Sequence, residues 1–207
     1  MTEINNEAFS LIELDTLREI INMGTAYSAT SLSKLIDKTI LVNVPRVDIA
    51  PIKKVPELLG GSNLSIVGLY FKFYGNIDGK IFIFFEKETA ELLVKYLTAN
   101  MTFSNVSEQK EIEKSALMEL GNILANSYLN AIAEMMDIKI LLSIPYYSSD
   151  MLGAVIDFML IEIAKFTDYA LLLNTVIESP EIKIAGNFII FPERESFEKI
   201  FKNVGIE

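Results

Sequence analysis

The chain has 207 residues, 51% of them hydrophobic, with 13 Phe and 8 Tyr, and a formal net charge of −10 at pH 7. That composition, with a mean hydropathy of +0.34, belongs to a folded chain with a core and excludes disorder. The acidic balance, without any Lys/Arg cluster, excludes nucleic acid and anionic lipid as partners, and the absence of His and Cys excludes Ser-His-Asp triads, thiol nucleophiles, disulfides and nearly all zinc or iron sites.

Residues 1–10 read as a loose lead-in with neither the basic start nor the apolar run of a signal peptide. From about Leu11 to Lys38, Leu14, Leu17, Ile21, Gly24, Ser28, Leu32 and Leu35 recur at spacings of three and four and predict a long amphipathic helix. Thr39–Val44 is β-branched, closed by Pro45, and reads as a strand; Pro51 to Gly61 is loop with at most a turn of helix. Leu64–Tyr74 and Lys80–Phe85, joined by Gly75-Asn-Ile-Asp-Gly79, form a hairpin signature. Glu88–Leu97 is a short helix, and Thr98–Val106 connects the halves.

The second half replays this order. Ser107–Asp137 is a long helix, Lys139–Ile144 a strand ending at Pro145, and Asp150–Phe166 a helix where the first half has a loop. Tyr169–Ile177 and Lys183–Phe191 make the second hairpin, and Glu193–Asn203 closes the chain as a helix. Gly79-Lys-Ile-Phe-Ile-Phe matches Gly186-Asn-Phe-Ile-Ile-Phe at an offset of 107. A half of this size cannot cover both faces of its own sheet. The prediction is one α+β domain over 1–207, with repeat one at about 11–98 and repeat two at about 107–204. Its two long helices pack on one side of a combined, largely antiparallel six-stranded sheet in a pseudo-two-fold arrangement. The longest uncharged stretches, such as Leu58–Phe71 and Leu120–Ala133, reach 14 residues, short of the roughly 20 that a spanning helix needs. With no cysteine and no secretion signal, the cytoplasm is the expected compartment.

Three polar residues of the second long helix, Ser115, Glu119 and Asn122, lie at i, i+4 and i+7, and Pro145 follows after 22 intervening residues. The first helix carries Asp15, Glu19 and Asn22, with Pro45 after another 22. The helical period stacks each set on one face. One Glu-x-x-Asn is ordinary surface decoration. Two, in the same context, differ from solvated positions, which usually drift apart after duplication. Tyr146-Tyr147 could line the second site or belong to a packed loop. The rows Tyr70–Tyr74 and Phe82–Phe85 read as core and sheet-face residues.

The motif Ser115-x-x-x-Glu119-x-x-Asn122-x22-Pro145, with Gly121-Asn122-Ile-Leu-Ala beside it and Asp150-Met-Leu-Gly-Ala before the second hairpin, resembles the CheC family of chemotaxis phosphatases, which includes CheX and the amino-terminal part of FliY. Two signatures in a chain of this length are most similar to the CheC branch. The resemblance implies hydrolysis of the aspartyl phosphate of the response regulator CheY. Asn22 and Asn122 would orient the attacking water, and Glu19 and Glu119 would pair with a lysine of the receiver. Asp15, Ser115, Pro45 and Pro145 support the motif. It implies no metal or cofactor of its own, Mg²⁺ coming with the receiver, and CheD as a possible second partner for an otherwise monomeric protein. The first copy departs from the family pattern. Ile21 stands where the second has Gly121, and a branched side chain there is expected to hinder a partner's approach to Asn22.

The competing reading is a non-catalytic interaction module, either a platform like the middle domain of the flagellar switch protein FliM or an adaptor regulating CheD. A platform has no need of Glu and Asn at this spacing twice. A metal-dependent hydrolase built on Asp15 and Glu19 is poorly served by carboxylates without histidine.

Overall fold

The computed structural model describes residues 10–203; the lead-in, apart from Ser10, and the end of repeat two at 204 lie outside the described residues. The first half runs α1 (Leu11–Ile36), β1 (Leu41–Pro51), a 3-10 turn at Ile52–Lys54, α2 (Val55–Leu58), β2 (Ser65–Gly75), β3 (Gly79–Glu86) and α3 (Lys87–Leu97). The second runs α4 (Val106–Met136), β4 (Ile140–Leu142), β5 (Tyr146–Met151), α5 (Leu152–Ile163), β6 (Tyr169–Glu178), β7 (Lys183–Pro192) and α6 (Arg194–Asn203).

The long helices begin and end in the same way. The Ser10 hydroxyl accepts the Glu13 N–H, and the Glu13 carboxylate accepts the Ser10 N–H, a reciprocal cap for α1. Asn105 accepts the Glu108 N–H at 2.9 Å to cap α4, while the Glu108 carboxylate accepts the Ser104 N–H at 2.6 Å. Both helices stop on an aspartate in the left-handed region, Asp37 at φ 55 and Asp137 at φ 50, a conformation that aspartate tolerates better than most side chains.

All strand pairs are antiparallel and the halves exchange strands. The order is β1-β6-β7-β3-β2-β4, with β5 also paired to β2. The opening strand of the first half lies on the hairpin of the second, and the opening strands of the second lie on the hairpin of the first. At the centre Phe82 faces Ile189, its counterpart at the offset of 107. The pseudo-two-fold α+β fold is therefore closed across the middle, with six strand positions occupied by seven strands.

The seventh strand comes from Pro145. The edge strand expected over Lys139–Ile144 is Ile140–Leu142, broken after Leu142, and then resumes as β5. A proline offers no N–H to a ladder. Ser143 bridges the gap, its N–H donating to Lys72 O at 2.8 Å and its hydroxyl accepting the Lys72 N–H at 2.9 Å. In the first half, β1 does not end at Pro45 but runs on to Pro51 through a register shift between Asn43 and Arg46. An edge strand tolerates proline at a bulge. Tyr146 and Tyr147 are thus strand residues rather than loop.

Both faces of the sheet are covered, which is why β3 reads as an unbroken apolar run. Ile81, Ile83 and Phe85 face a cluster with Leu17, Ile20, Leu120, Leu124 and Tyr128 of α1 and α4. Phe82 and Phe84 face the opposite cluster with Val55, Leu152, Ile156 and Ile163 from the α2 and α5 side. The long helices meet where Gly24 lies against Tyr128; a Cβ at position 24 falls 2.4 Å from Tyr128 Cδ1 and 3.0 Å from Tyr128 Cα.

Gly24→Ala gains about 1 kcal/mol of helix propensity, but overpacking against the fully buried Tyr128 ring costs about 1–3 kcal/mol. The expected net result is a variant destabilised by up to about 2 kcal/mol, read as a lower urea midpoint. At the start of α4, the Ser104 backbone N–H and then its hydroxyl hold the Glu108 carboxyl below the ordinary glutamate range. A depressed folded value means that the contribution is fully present above the unfolded pKa and fades as pH falls through the folded one. Glu108→Gln is expected to flatten that part of the acid limb when thermal midpoints are followed against pH.

Candidate functional site

Burial of one face of α1 and of α4 turns the other face outward. On α1, Leu14, Leu17, Ile20 and Ile21 are buried, while Asp15, Glu19 and Asn22 are exposed. On α4, Leu117, Leu120, Gly121 and Leu124 are buried; Ser115 and Glu119 are exposed, and Asn122 is half-buried. A stripe from i to i+7 spans about 10 Å of helix, the width of a single contact with another domain.

Glu19, Asn22 and Glu119 make no side-chain hydrogen bond or ion pair among the described residues. The leading residue of each motif is occupied by its own helix. Asp15 accepts from Arg18 at 2.8 Å, an exposed pair of little energetic weight, and the Ser115 hydroxyl donates to Glu111 O at 2.8 Å. The acid and amide of each stripe are thus the groups left with unused hydrogen-bonding capacity. Pro45 sits at the register shift of β1 and Pro145 in the gap between β4 and β5; their part is along the sheet edges rather than on the helix faces.

The amides of the two stripes differ in their contacts. Asn126 Nδ2 donates to Asn122 Oδ1 and to Asn122 O, both at 3.0 Å. The corresponding position after Asn22 is Ala26, which has nothing to donate. Sequence reading passed over Asn126. The available signal was its i+4 spacing from Asn122, which puts it on the same face.

The expectation about Ile21 is overturned. Ile21 is 5% exposed and belongs to the core under α1. Gly121 faces inward too: a Cβ there falls 2.4 Å from Leu69 Cδ1 of β2. These residues point inward, about 100° around the helix from Asn22 and Asn122, and set how closely each helix approaches the sheet rather than how closely a partner approaches the amide. Tyr147 takes the ammonium of Lys114 over its ring at 5.2 Å, on a different side of α4 from the stripe. Burial, with a smaller push from the Glu113 charge, moves its hydroxyl up against the lowering effect of the Ser149 hydrogen bond.

Tyr146 faces the other side of the sheet and lines a cavity of about 420 Å³ with Tyr70, Lys72, Asp150, Phe158 and Glu162. Burial first, then the Glu162 and Tyr146 charges, push the Tyr70 hydroxyl up to about 12, so at neutral pH it is a donor and no base. That cavity is separated from both stripes by the sheet. Among the described residues, no three His, Cys, Asp or Glu side chains gather so as to hold a metal ion, and no helix is long and apolar enough to cross a membrane.

Comparison with known proteins agrees with this arrangement. Residues 67–156 match the family model described as chemotaxis phosphatase CheX, and residues 12–49 match the CheC-like family. The chain is 30% identical over 197 residues to the CheY-P phosphatase CheC of Bacillus subtilis (strain 168), covering 93% of this chain and 94% of that one. Among solved structures, FliY of Thermotoga maritima superimposes with a TM-score of 0.71 at 18% identity, over 95% of this chain and 98% of the other. The FliM middle domain from H. pylori does so with a TM-score of 0.60 at 11% identity, over 94% and 99%; both likenesses speak for the fold alone. With two exposed Glu-x-x-Asn stripes on a pseudo-two-fold sheet, and a CheC relative matched along almost its full length, the chain belongs to the CheC family.

Proposed function

We propose that this protein hydrolyses the aspartyl phosphate of a CheY-type receiver, using Glu119 with Asn122 and, more weakly, Glu19 with Asn22. The observation that carries the reading is an exposed acid without an intramolecular partner, one helical turn from an exposed or half-exposed amide, on a helix anchored along its inner face. It is supported by the relative whose printed name is that of a CheY-P phosphatase.

Phosphoryl transfer asks little covalent chemistry of a protein and much positioning. The Asn122 carboxamide both donates and accepts, so it can hold a water in line with the leaving oxygen without titrating. The Glu119 carboxylate, lacking a cation of its own, is placed to take the lysine of a docked receiver and fix its pose. The receiver brings the phosphoaspartate and the Mg²⁺ that spreads the charge of the transferring group. Two sites on one duplicated chain, taken as a single unit, serve the same partner. CheD is proposed as a second partner.

The test is phosphate release from a phosphorylated CheY-type receiver. Wild type is expected to accelerate it, and Glu119→Ala/Asn122→Ala to lose most of that acceleration while keeping a normal unfolding midpoint. With the first site silenced by Glu19→Ala/Asn22→Ala, Asn122→Ala is expected to lower kcat about 100-fold, roughly 3 kcal/mol, whereas Glu119→Ala mainly raises KM. Binding of the receiver without faster phosphate release overturns the reading in favour of a docking platform. Chelating Mg²⁺ is expected to halt release by wild type even with receiver saturating.

A further inference from the structure

We infer that Asn126 is the positioning residue of the second site, fixing which way the Asn122 carboxamide faces; this rests on the reading of Asn122 as the water-orienting amide. An amide side chain has two nearly isosteric ends, and a free one turns about its terminal torsion between them. Asn122 is not free. Both Nδ2 hydrogens of Asn126 have acceptors, one the Asn122 carbonyl and the other Asn122 Oδ1, each at 3.0 Å. The carbonyl contact ties Asn126 to the helix backbone, and the Oδ1 contact then transmits that fixed geometry to the neighbouring amide.

Three consequences follow for the chemistry. Oδ1 is the end turned toward Asn126, so Nδ2 of Asn122 is presented on the other side. One lone pair of Oδ1 is used and one stays available to accept from a water. The half-buried setting of both residues reduces the competition from bulk water that weakens an exposed side-chain bond. The first site has none of this: Ala26 leaves the exposed Asn22 without a partner. The two sites thus carry the same acid and amide but differ in preorganisation, and the second is the faster because its amide waits in one orientation.

The experiment uses the full chain with Glu19→Ala/Asn22→Ala, so that only the second site is read, and a phosphorylated CheY-type receiver. Asn126→Ala is expected to lower kcat about 10-fold with KM unchanged, the scale of one lost orienting hydrogen bond. Asn126→Asp keeps the shape but cannot donate, so it is expected to lose at least as much. In the converse background, Glu119→Ala/Asn122→Ala, Ala26→Asn is expected to raise the kcat of the first site several-fold. Independently of turnover, NMR relaxation of the Asn122 side-chain NH₂ is expected to show greater mobility in Asn126→Ala. Wild-type kcat in both Asn126 variants, or unchanged Asn122 mobility, overturns the inference. No release by the background enzyme with Asn126 intact overturns instead the reading of Asn122 on which it rests, whatever the mobility shows.

Discussion

Burial of the inner faces of α1 and α4 on one side of a single sheet decides where both polar stripes look. Among the described residues, no side-chain bond made by Glu19, Asn22 or Glu119 holds them outward. Leu14, Leu17, Ile20 and Ile21 on one helix, and Leu117, Leu120 and Leu124 on the other, are buried, each worth about 1.5–3 kcal/mol against exposure. Turning either helix by one residue position would bring some of these into water and lose several kcal/mol, far more than an exposed acid or amide could return. The stripes therefore inherit their direction from the core.

Strand exchange makes that core common to both halves. Because β1 completes the second hairpin and β4 and β5 extend the first, neither half can shift without breaking a ladder that belongs to the other. The Gly24–Tyr128 contact adds a lock between the helices, and the Gly121–Leu69 contact brings α4 down onto β2. The proposed water-orienting role would benefit from such support, since misplacement by about 1 Å can cost on the order of 100-fold in rate.

The duplicated sites have diverged by support rather than by active groups. Acid and amide are the same in both. What differs lies behind or beside them: Ile21 or Gly121 beneath the helix, Ala26 or Asn126 one turn on, and a bulge at Pro45 or a full break at Pro145 in the edge strand. If both stripes act as proposed, an unequal pair of this kind would retain two docking faces while concentrating rate in one. The cavity beside α5, with Phe158 and Ile161 exposed next to it, belongs to the opposite side of the molecule and leaves the stripes free.

Periodicity was enough to locate the long helices, the two hairpins, a helix within Asp150–Phe166, which the structure trims to Leu152–Ile163 because Asp150 and Met151 pair in β5, and the outward set Asp15, Glu19, Asn22, Ser115, Glu119 and Asn122, because a period of 3.6 and a run of β-branched and aromatic residues are local properties written residue by residue. The family, too, was legible in the spacing of the motif. What the sequence could not decide was anything that depends on what lies opposite. Strand β5 exists because β2 offers it a partner. Pro45 is a bulge rather than an end because β6 pairs on both sides of it. Gly24 lies against Tyr128, and Gly121 against Leu69, because α1, α4 and β2 come together there. Those are relations between residues brought together by packing, and the chain alone carries the residues without the distances.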